Sequence, residues 1–477
     1  MDDQIDKTYR MTKNQELNTY LAHFLGDEIK SFLAAEPEKR AIRINTIKTT
    51  LTEILARLNH LNISYSPLSF NPLGFVLNDY PIPLSHTLDF FHGDFQYQGI
   101  SSQIPALVLN PQPGEKVLDI AAAPGSKSTQ MAALMQNLGQ LYLNDISKSR
   151  LQSLNVNVQR SGVSNEVILN MAGERFGKLF PDYFDKILVD APCTALGTLA
   201  GSPEVAHWWS FDKLKKLAVS QKQLLVSAFK ALKPGGEMVY STCSIAPEEN
   251  EILIQWLIDN YPVEIQDIHL KEKLFCDDGI VQYNGHMLNQ RLSRAVRLYP
   301  HKHKMEGFFV IKLKKIASPT RYTNSVLIKW LATLAHTDHL IKNELDMLSE
   351  LWGIDSDLWK TYRYIMTKNR IWMMCGKIRQ IPSKRLHNAG LLLAEKRITG
   401  WKLTNQSAQI LGNQVYSRRI TLSDEQFRGL FSTGFIPVSN LKYGYYILER
   451  GSKPIASVYW EKGKLQIRLP HTFRLVL

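Results

Sequence analysis

The sequence predicts an α/β protein whose central element is a mostly parallel β-sheet with helices on both faces. From residue 116 onwards, short apolar runs typical of buried strands alternate with longer runs typical of helices. The first apolar run leads into small residues, VLDIAAAPGSKSTQ at residues 117–130, which indicate a tight turn and a helix start that Ser126 can cap. A carboxylate, Asp145, ends the next strand-like run, 20 residues after Gly125. This order of elements is typical of a doubly wound sheet.

The residues ahead of the sheet predict a small α+β unit over residues 1–90. Residues 14–34 place apolar side chains on one helical face, and AIRINTIK at residues 41–48 alternates like a strand. Residues 51–61 are helical again, and strand-like sequence continues to Leu77. The basic side chains of the first strand favour contact with a polyanion over a scaffold that only shields the next domain.

The sheet is predicted within residues 91–316. The predicted strands are 116–120, 140–143, 167–169, 185–190 and 237–241. The predicted helices are 126–137, 148–160, 214–232 and 247–260. Residues 263–265 and 307–313 are expected to complete the sheet as a hairpin.

The last third of the chain changes character twice. Residues 317–395 are predicted to form a helical connecting domain that is rich in tryptophan. Residues 396–477 contain short strands and turns, such as GYYILERGSKPIASVYW, and predict a small β-barrel. The basic segment KIRQIPSKR, residues 377–385, precedes it.

Charge and cysteine content limit the classes of protein. The formal net charge is +13, which favours a polyanionic partner, although a basic and uninvolved surface would give the same number. The four cysteines form no C-x-x-C pair, so neither a structural zinc site nor a disulfide framework is expected, and the compartment is predicted to be reducing and cytoplasmic. No signal peptide or membrane span is predicted, and hence no membrane partner.

The turn after the first strand predicts a nucleoside-like ligand. Asp145 lies at the spacing at which a carboxylate holds ribose hydroxyls in such sheets. Neither the dinucleotide pattern G-x-G-x-x-G nor a P-loop is present, so a ligand with a ribose but no pyrophosphate fits better, and S-adenosylmethionine is such a ligand. An ordinary βα turn would show the same pattern, so these residues alone do not decide.

Two cysteines follow the ends of two predicted strands. DAPC places Asp190 and Cys193 beyond the fourth strand, and YSTCS places Cys243 beyond the fifth. Because ligands bind outside the carboxyl ends of parallel strands, both thiols should reach the same crevice as Gly125 and Asp145. A thiolate that adds to carbon 6 of a pyrimidine activates carbon 5 for methylation, and a second thiol can assist product release. The alternative for either cysteine alone is a buried apolar side chain.

These motifs resemble the NOL1/NOP2/Sun family of RNA 5-methylcytosine methyltransferases, and within it the bacterial RsmF type, which modifies 16S ribosomal RNA. The similarity extends from RINTIK through YQGISSQIP, DIAAAPGSKS, DAPC, YSTCS with EEN, and EGFFVIKLK into the last third. It implies a Rossmann-like S-adenosylmethionine methyltransferase core, an N-terminal RNA-binding-like unit and a PUA-like RNA-binding barrel at the end of the chain.

The resemblance also implies roles for individual residues. Cys243 would be the nucleophile, Cys193 would assist product release, and Asp190 would contact the cofactor or the cytosine ring. Asp145 would hold the ribose, and Lys127 would also neutralise carboxylates in the crevice. The loop around S-adenosylmethionine would consist of Ala121, Ala122, Ala123, Pro124, Gly125, Ser126 and Lys127. No metal is expected.

Three positions depart from the family pattern. Ala172 stands where an acid usually lies near the adenine, with Glu174 close by, the segment Thr194–Gly197 reads TALG, and Gly99 replaces an acid after the Y-x-Q motif. The expected function is methylation of cytosine carbon 5 in 16S rRNA, as a monomer that binds the RNA or the small ribosomal subunit. Two alternatives are a transfer-RNA enzyme with the same chemistry and an RNA-binding assembly factor whose catalytic site has decayed.

Overall fold

The structure, a computed structural model, describes residues 12–318 and 328–468. Within these residues it contains an N-terminal α+β unit, a central ten-stranded sheet and smaller sheets towards the C-terminus. No helix in either range is both long enough and apolar enough to cross a membrane.

The N-terminal unit is an antiparallel sheet in the order β2-β3-β1-β4, with helices beside it. The elements are α1 (Gln15–Leu25), α2 (Ile29–Leu33), β1 (Ala41–Ile44), α3 (Leu51–His60), β2 (Ser64–Leu68), β3 (Asn71–Asp79), α4 (Leu88–His92) and β4 (Phe95–Tyr97). The predicted border after residue 90 falls inside α4, and β4 still belongs to this sheet. Pairing of β4 with β1 spans about 50 residues of chain and leaves no local signal in the sequence.

The central region follows directly. Its helices are α5 (Ile104–Leu109), α6 (Ser126–Leu134), α7 (Lys148–Arg160), α8 (Phe176–Leu179), α9 (Val205–Trp208), α10 (Phe211–Ala231), α11 (Glu251–Asn260) and α12 (Pro300–His303). Its strands are β5 (Lys116–Asp119), β6 (Gln140–Asn144), β7 (Glu166–Leu169), β8 (Phe184–Asp190), β9 (Leu232–Thr242), β10 (Val263–Gln266), β11 (Asp277–Asp278), β12 (Gln282–Tyr283), β13 (His286–Met287), β14 (Val296–Leu298) and β15 (Phe308–Lys315).

Five strands of the central sheet are parallel, in the order β9-β8-β5-β6-β7. They are almost fully buried, as expected for apolar strands with helices on both faces. The chain runs outward from β5 to β7 and returns to β8 on the other side of β5. The crevice beyond the carboxyl ends of β5 and β8 is therefore the topological switch point.

The predicted core is confirmed in its main features. All five predicted strands are present, and the expected hairpin partners β10 and β15 pair through Ile265 and Leu313. Strand β15 also pairs antiparallel with β9, so it continues the sheet past the parallel strands.

The C-terminal region contains three α-helices and many short strands. The elements are β16 (Trp330–Ala332), α13 (Lys342–Trp352), β17 (Tyr362–Thr367), β18 (Arg370–Cys375), β19 (Gln380–Pro382), β20 (Leu386–Ala389), β21 (Leu391–Arg397), β22 (Gly400–Leu403), α14 (Asn405–Leu411), β23 (Arg419–Thr421), α15 (Asp424–Thr433), β24 (Phe435–Pro437), β25 (Gly444–Arg450), β26 (Lys453–Glu461) and β27 (Lys464–Gln466).

The prediction that residues 317–395 are helical is wrong for the part that the structure describes, because one α-helix, α13, lies among six strands there. Buried tryptophan and methionine side chains do not by themselves distinguish a helix from a strand, and here pairing between distant segments decides. Strand β20 pairs with β7 and so becomes an edge of the central sheet. The predicted border at residue 395 falls inside β21, which pairs with both β18 and β22.

The strands that follow α14 form a five-stranded sheet in the order β23-β25-β26-β27-β24, whereas β22, also predicted as a strand, pairs with β21 in the neighbouring sheet. One face of this sheet packs on α15, where Phe427 and Phe431 contact Leu448 and Val458. Its other face turns towards the sheet β17-β18-β21-β22, with Ile447 buried in the core that this second sheet forms with α13 and α14.

Candidate active site

The sulfur atoms of Cys193 and Cys243 lie 3.2 Å apart, and both side chains are partly exposed. They meet because β8 and β9 are adjacent parallel strands in which Asp190 pairs with Ser241. The loops after these strands therefore leave the sheet at the same edge. The structure thus brings together the two thiols that the sequence analysis expected to share one crevice.

The surroundings of Cys193 favour its protonated form. Its hydrogen bond with Cys243, together with burial, raises the pKa of the Cys193 thiol well above the usual range. Either sulfur can be the donor in the contact, and a protonated Cys193 can donate to the sulfur of Cys243. Such a donor stabilises negative charge on Cys243, the form in which a cysteine acts as a nucleophile.

The loop that carries Cys193 is held by the fully buried Glu249 at the start of α11. Its Oε1 accepts from the backbone N–H of Thr194 and from the side-chain amide of Gln221, each at 2.9 Å, and its Oε2 accepts from the Thr194 hydroxyl. Gln221 also donates to the carbonyl of Pro192 at 2.9 Å. Burial raises the pKa of Glu249, and these hydrogen bonds oppose that shift. Sequence reasoning gave Glu249 no role, although it lies in the EEN motif.

A second contact fixes the backbone of Cys243. Its carbonyl accepts from the N–H of Gly197 at 2.9 Å, and the carbonyl of Gly197 accepts from the N–H of Gly307 at 2.8 Å. The two glycines touch so closely that a Cβ on Gly197 would lie 2.0 Å from the Gly307 oxygen. Both cysteine loops are therefore tied to the sheet by buried hydrogen bonds.

Asp190 and Lys127 form an ion pair beside the cysteines. Lys127 Nζ lies 2.8 Å from Asp190 Oδ2, and the Ser241 hydroxyl donates to Asp190 Oδ1 at 2.7 Å. Burial disfavours the charge on Lys127, but Asp190, followed by Cys243, outweighs it, so the pKa of Lys127 is raised. Lys127 is therefore held as a cation beside Asp190.

Five of the seven residues predicted to surround the cofactor, residues 121–125, lie in the loop between β5 and α6, and the other two, Ser126 and Lys127, begin α6. Gly125 adopts a φ of 105°, open mainly to glycine, and a Cβ there would lie 2.8 Å from Leu154. Gly125 is the N-cap of α6 and Ser126 its first residue without a capping hydrogen bond, so the expectation that Ser126 caps this helix is wrong. The N–H of Ala122 donates to the carbonyl of Asn144, which ties the loop to β6.

Asp145 lies next to this loop and fits a ribose-bearing ligand. Its Oδ1 accepts from the N–H of Ser147 at 2.8 Å. Its buried Oδ2 accepts no hydrogen bond from the described residues and has the Arg150 guanidinium 3.3 Å away. Arg150 also donates to the carbonyl of Ala123, so it links the carboxylate to the loop. An acceptor oxygen held in this way can accept a hydrogen bond from a hydroxyl group of a ligand.

The departures from the family pattern have two different outcomes. At Ala172 no acid fills the position, and Glu174 is exposed. At Gly99 the carboxylate of Glu38 occupies the space of the missing acid, since Glu38 Oε1 lies 2.9 Å from the position that a Cβ on Gly99 would take. Glu38 accepts from the N–H of Ile100 at 2.7 Å and of Glu306 at 2.9 Å.

Comparison with known proteins agrees with this geometry. A family model described as 16S rRNA methyltransferase RsmB/F matches residues 106–314. Ribosomal RNA small subunit methyltransferase F of Vibrio cholerae is 31% identical over 93% of this chain and 93% of its own length. The 26S rRNA (cytosine-C(5))-methyltransferase nsun-1 of Caenorhabditis elegans is 33% identical over 64% of this chain and 46% of its own.

A solved structure shares the fold of the core. NSun6 from Pyrococcus horikoshii, solved with SFG, an analogue of S-adenosylmethionine, is 25% identical with a TM-score of 0.55, over 64% of this chain and 98% of that one. Among the described residues, no group of three or more His, Cys, Asp or Glu side chains could hold a metal ion.

Proposed function

Because the chain belongs to the RsmB/F family of 16S rRNA methyltransferases, we propose that it methylates carbon 5 of a cytosine in 16S rRNA. It is an S-adenosylmethionine-dependent rRNA cytosine-C5 methyltransferase. The observation that carries the proposed mechanism is the 3.2 Å contact between the sulfurs of Cys193 and Cys243 at the topological switch point. One thiol that attacks and a neighbour that holds a proton suit this chemistry.

Cys243 acts as the nucleophile. Its thiolate adds to carbon 6 of the cytosine, which forms a sulfur–carbon bond and moves electron density to carbon 5. When bound, S-adenosylmethionine supplies an electrophilic methyl group that this carbon can accept. Asp190, fixed by Lys127 and Ser241, faces the same crevice and hydrogen-bonds the ring or the cofactor.

Cys193 acts in product release. After methyl transfer, the proton on carbon 5 leaves to a base, and the electrons of that bond expel the Cys243 thiolate as the sulfur–carbon bond breaks. The Cys193 thiol keeps its own proton and donates it in a hydrogen bond to the departing sulfur, which stabilises the developing negative charge.

The protein's own groups are arranged to hold the cofactor and to admit the target cytosine. The loop 121–127 offers backbone with little side-chain bulk, and Asp145 offers a carboxylate oxygen for the ribose hydroxyls. The target cytosine has to leave its stack to reach Cys243, because an enzyme cannot reach the reacting atoms of a base that is stacked within a helix.

The other parts of the chain are assigned to RNA binding. The N-terminal unit of about 90 residues and the sheet after residue 396, as a PUA-like barrel, hold RNA around the target, with the connecting region between them. The enzyme acts as a monomer in the cytoplasm, on 16S rRNA or on the small subunit, without a membrane partner. The net charge of +13 supports a large anionic partner.

Bisulfite sequencing of ribosomal and transfer RNA, with and without the gene, tests the proposal. A single cytosine in 16S rRNA should lose its methyl mark in the deletion strain. Loss confined to transfer RNA would instead assign the same chemistry to that substrate. Calorimetry with S-adenosylmethionine tests the alternative that Ala172 marks a decayed site, since a decayed site would give no heat of binding.

A further inference from the structure

A cleft of about 770 Å³ opens between two C-terminal sheets, far along the chain from the cysteines. One wall is the turn between β21 and β22, and the other is formed by β25, β26 and β27. The two walls are fixed to each other by α14: Asn405 accepts from the N–H of Ser457 at 3.0 Å, and Gln409 donates to the carbonyl of Ile455 at 2.8 Å. The cleft is therefore already formed before any ligand binds.

Three tyrosine rings cover one wall. Tyr445 and Tyr459 are directly opposite on β25 and β26, with ring centroids 4.8 Å apart. Tyr443 meets the same Tyr459 ring edge-on at 5.8 Å and is 52% exposed. The other face of this sheet packs against α15, so these rings are not needed for that core. Flat rings held in contact and left accessible are a surface on which nucleobases stack.

Cations surround these rings. Lys402 Nζ lies 5.7 Å from the centroid of the Tyr445 ring. Burial lowers the pKa of Lys402, Arg397 and Arg468 lower it further, and Glu395 opposes them. One carboxylate, Glu461, faces the cleft among the lining residues of the described chain. The four lining cations are Lys396, Arg397, Lys402 and Arg468. Lys396 is paired with Glu344 and Arg397 with Glu395, whereas Lys402 and Arg468 form no ion pair with a described residue and can attract an anion.

Two hydroxyl groups at the cleft also lack a hydrogen-bond partner among the described residues. Ser457 is 4% exposed and lines the cleft, and its Oγ makes no hydrogen bond to any described residue. The buried Oγ1 of Thr399, on the opposite wall, is in the same state. Buried polar atoms are normally satisfied, so unsatisfied ones at an open cleft indicate that a ligand completes them.

We propose that this cleft binds a single-stranded segment of the substrate RNA, with bases stacked on Tyr443 and Tyr459 and phosphates held by Lys402 and Arg468. The inference rests on the proposed function, which supplies the RNA, and adds a second site that holds it. Duplex RNA cannot offer its bases to the rings because they are stacked inside the helix. The cleft thus selects an unpaired region near the target.

The test measures binding of a fluorescein-labelled single-stranded RNA of about 12 nucleotides, a length within the range of stacking sites, to the full chain by anisotropy. Tyr459→Ala should raise the Kd about tenfold, while Tyr459→Phe keeps the ring and should bind as the parent does. Tyr416→Ala is the matched control, because Tyr416 is 69% exposed and lies outside the cleft. Arg468→Gln should reduce the slope of log Kd against log salt by about 0.7.

The outcomes separate the cleft from the catalytic site. A parent enzyme that methylates rRNA while Tyr459→Ala binds the 12-mer unchanged would overturn the cleft and leave the proposed function intact. Ring-dependent binding by a parent that methylates no RNA would support the cleft and overturn the proposed function. Equal binding of single-stranded and duplex probes, sensitive to Arg468→Gln alone, would reduce the cleft to a general polyanion surface and overturn the stacking proposal.

Discussion

The catalytic crevice and the C-terminal cleft differ in how their polar groups are held. In the crevice, each reacting side chain or its loop is tied to a buried partner: Cys193 through Glu249, Cys243 through Gly197, and Asp190 through Ser241. In the cleft, the tyrosines and cations are partly exposed, and two hydroxyls have no hydrogen-bond partner among the described residues. Although Asp145 Oδ2 is left open in the crevice, the reacting groups there have partners within the protein, whereas the cleft leaves its hydroxyls open.

This difference follows from what each region has to do. A bond-forming step loses rate steeply when a reacting atom is displaced by about 1 Å, so its groups must be fixed before the substrate arrives. Binding of a flexible polyanion requires charge and flat surface but tolerates variation in position. Substitutions in the crevice are therefore expected to act mainly on kcat, and those in the cleft mainly on KM.

The largest effect is expected for Cys243→Ala. Removal of the nucleophile leaves carbon 5 unactivated, so methylation of rRNA should fall by about 10⁴-fold or more. Incorporation of labelled methyl groups measures this directly. Cys276→Ala is the control, since Cys276 lies outside the crevice and should leave activity unchanged. If Cys243→Ala methylated rRNA at a rate within a factor of about ten of the parent rate, Cys243 would not be the nucleophile.

Cys193→Ala should act on release and not on attack. Loss of a hydrogen-bond donor to a developing anion costs about 10²-fold in turnover, and here it should leave the enzyme bonded to its RNA. The adduct should be visible as a shifted band on a denaturing gel. Cys193→Ser retains a donor and should show less of it. Multiple turnover by Cys193→Ala with no adduct would show that the roles of the two thiols were assigned wrongly.

Glu249→Ala should lower the rate of methylation indirectly, because Glu249 holds the loop that carries Cys193. The substitution leaves Thr194 and Gln221 without their buried acceptor, so Cys193 should drift and kcat should fall by about 10- to 100-fold. Glu249→Gln keeps an acceptor oxygen and should recover part of the rate. The neighbouring Glu248, which accepts from Tyr20 and Tyr283, supplies a matched control as Glu248→Gln. An unchanged KM with a lower kcat distinguishes positioning from loss of RNA binding.

Local sequence sufficed to predict that the two cysteines proposed to carry the chemistry lie together. DAPC and YSTCS each follow a buried strand, and the rule that parallel strands end at one sheet edge was enough to bring Cys193 and Cys243 together. Glu249 and Glu38 could not be given their contacts in the same way, because their partners Thr194 and Ile100 lie 55 and 62 residues away in the chain. Hydrogen bonds over such distances leave no periodic pattern.

The prediction of secondary structure for the C-terminal region failed for the same reason, and over more residues. Strand β20 is held by β7, more than 200 residues earlier, and β21 by β18 and β22, so no segment there shows its state alone. The family, the cofactor and the α/β core predicted from the sequence are confirmed, whereas the site roles and the PUA-like barrel stay predictions. Tertiary pairing, and not local propensity, decides the secondary structure of this region.

The smallest expected effect concerns the seam between the two regions. Glu166, fully buried on β7 where β20 joins, has its pKa raised by burial to about 8. Between its unfolded value of about 4.3 and this folded value, the folded chain retains a proton that the unfolded chain has lost, so its stabilising contribution is lost as the pH rises through 8.

Glu166→Gln removes this titration while it keeps the shape of the side chain. The unfolding free energy of the parent should drop by about 2 kcal/mol more than that of the variant between pH 6 and pH 8.5, as measured by urea unfolding. If both proteins show the same pH dependence, Glu166 is not the titrating group and the seam is already hydrated.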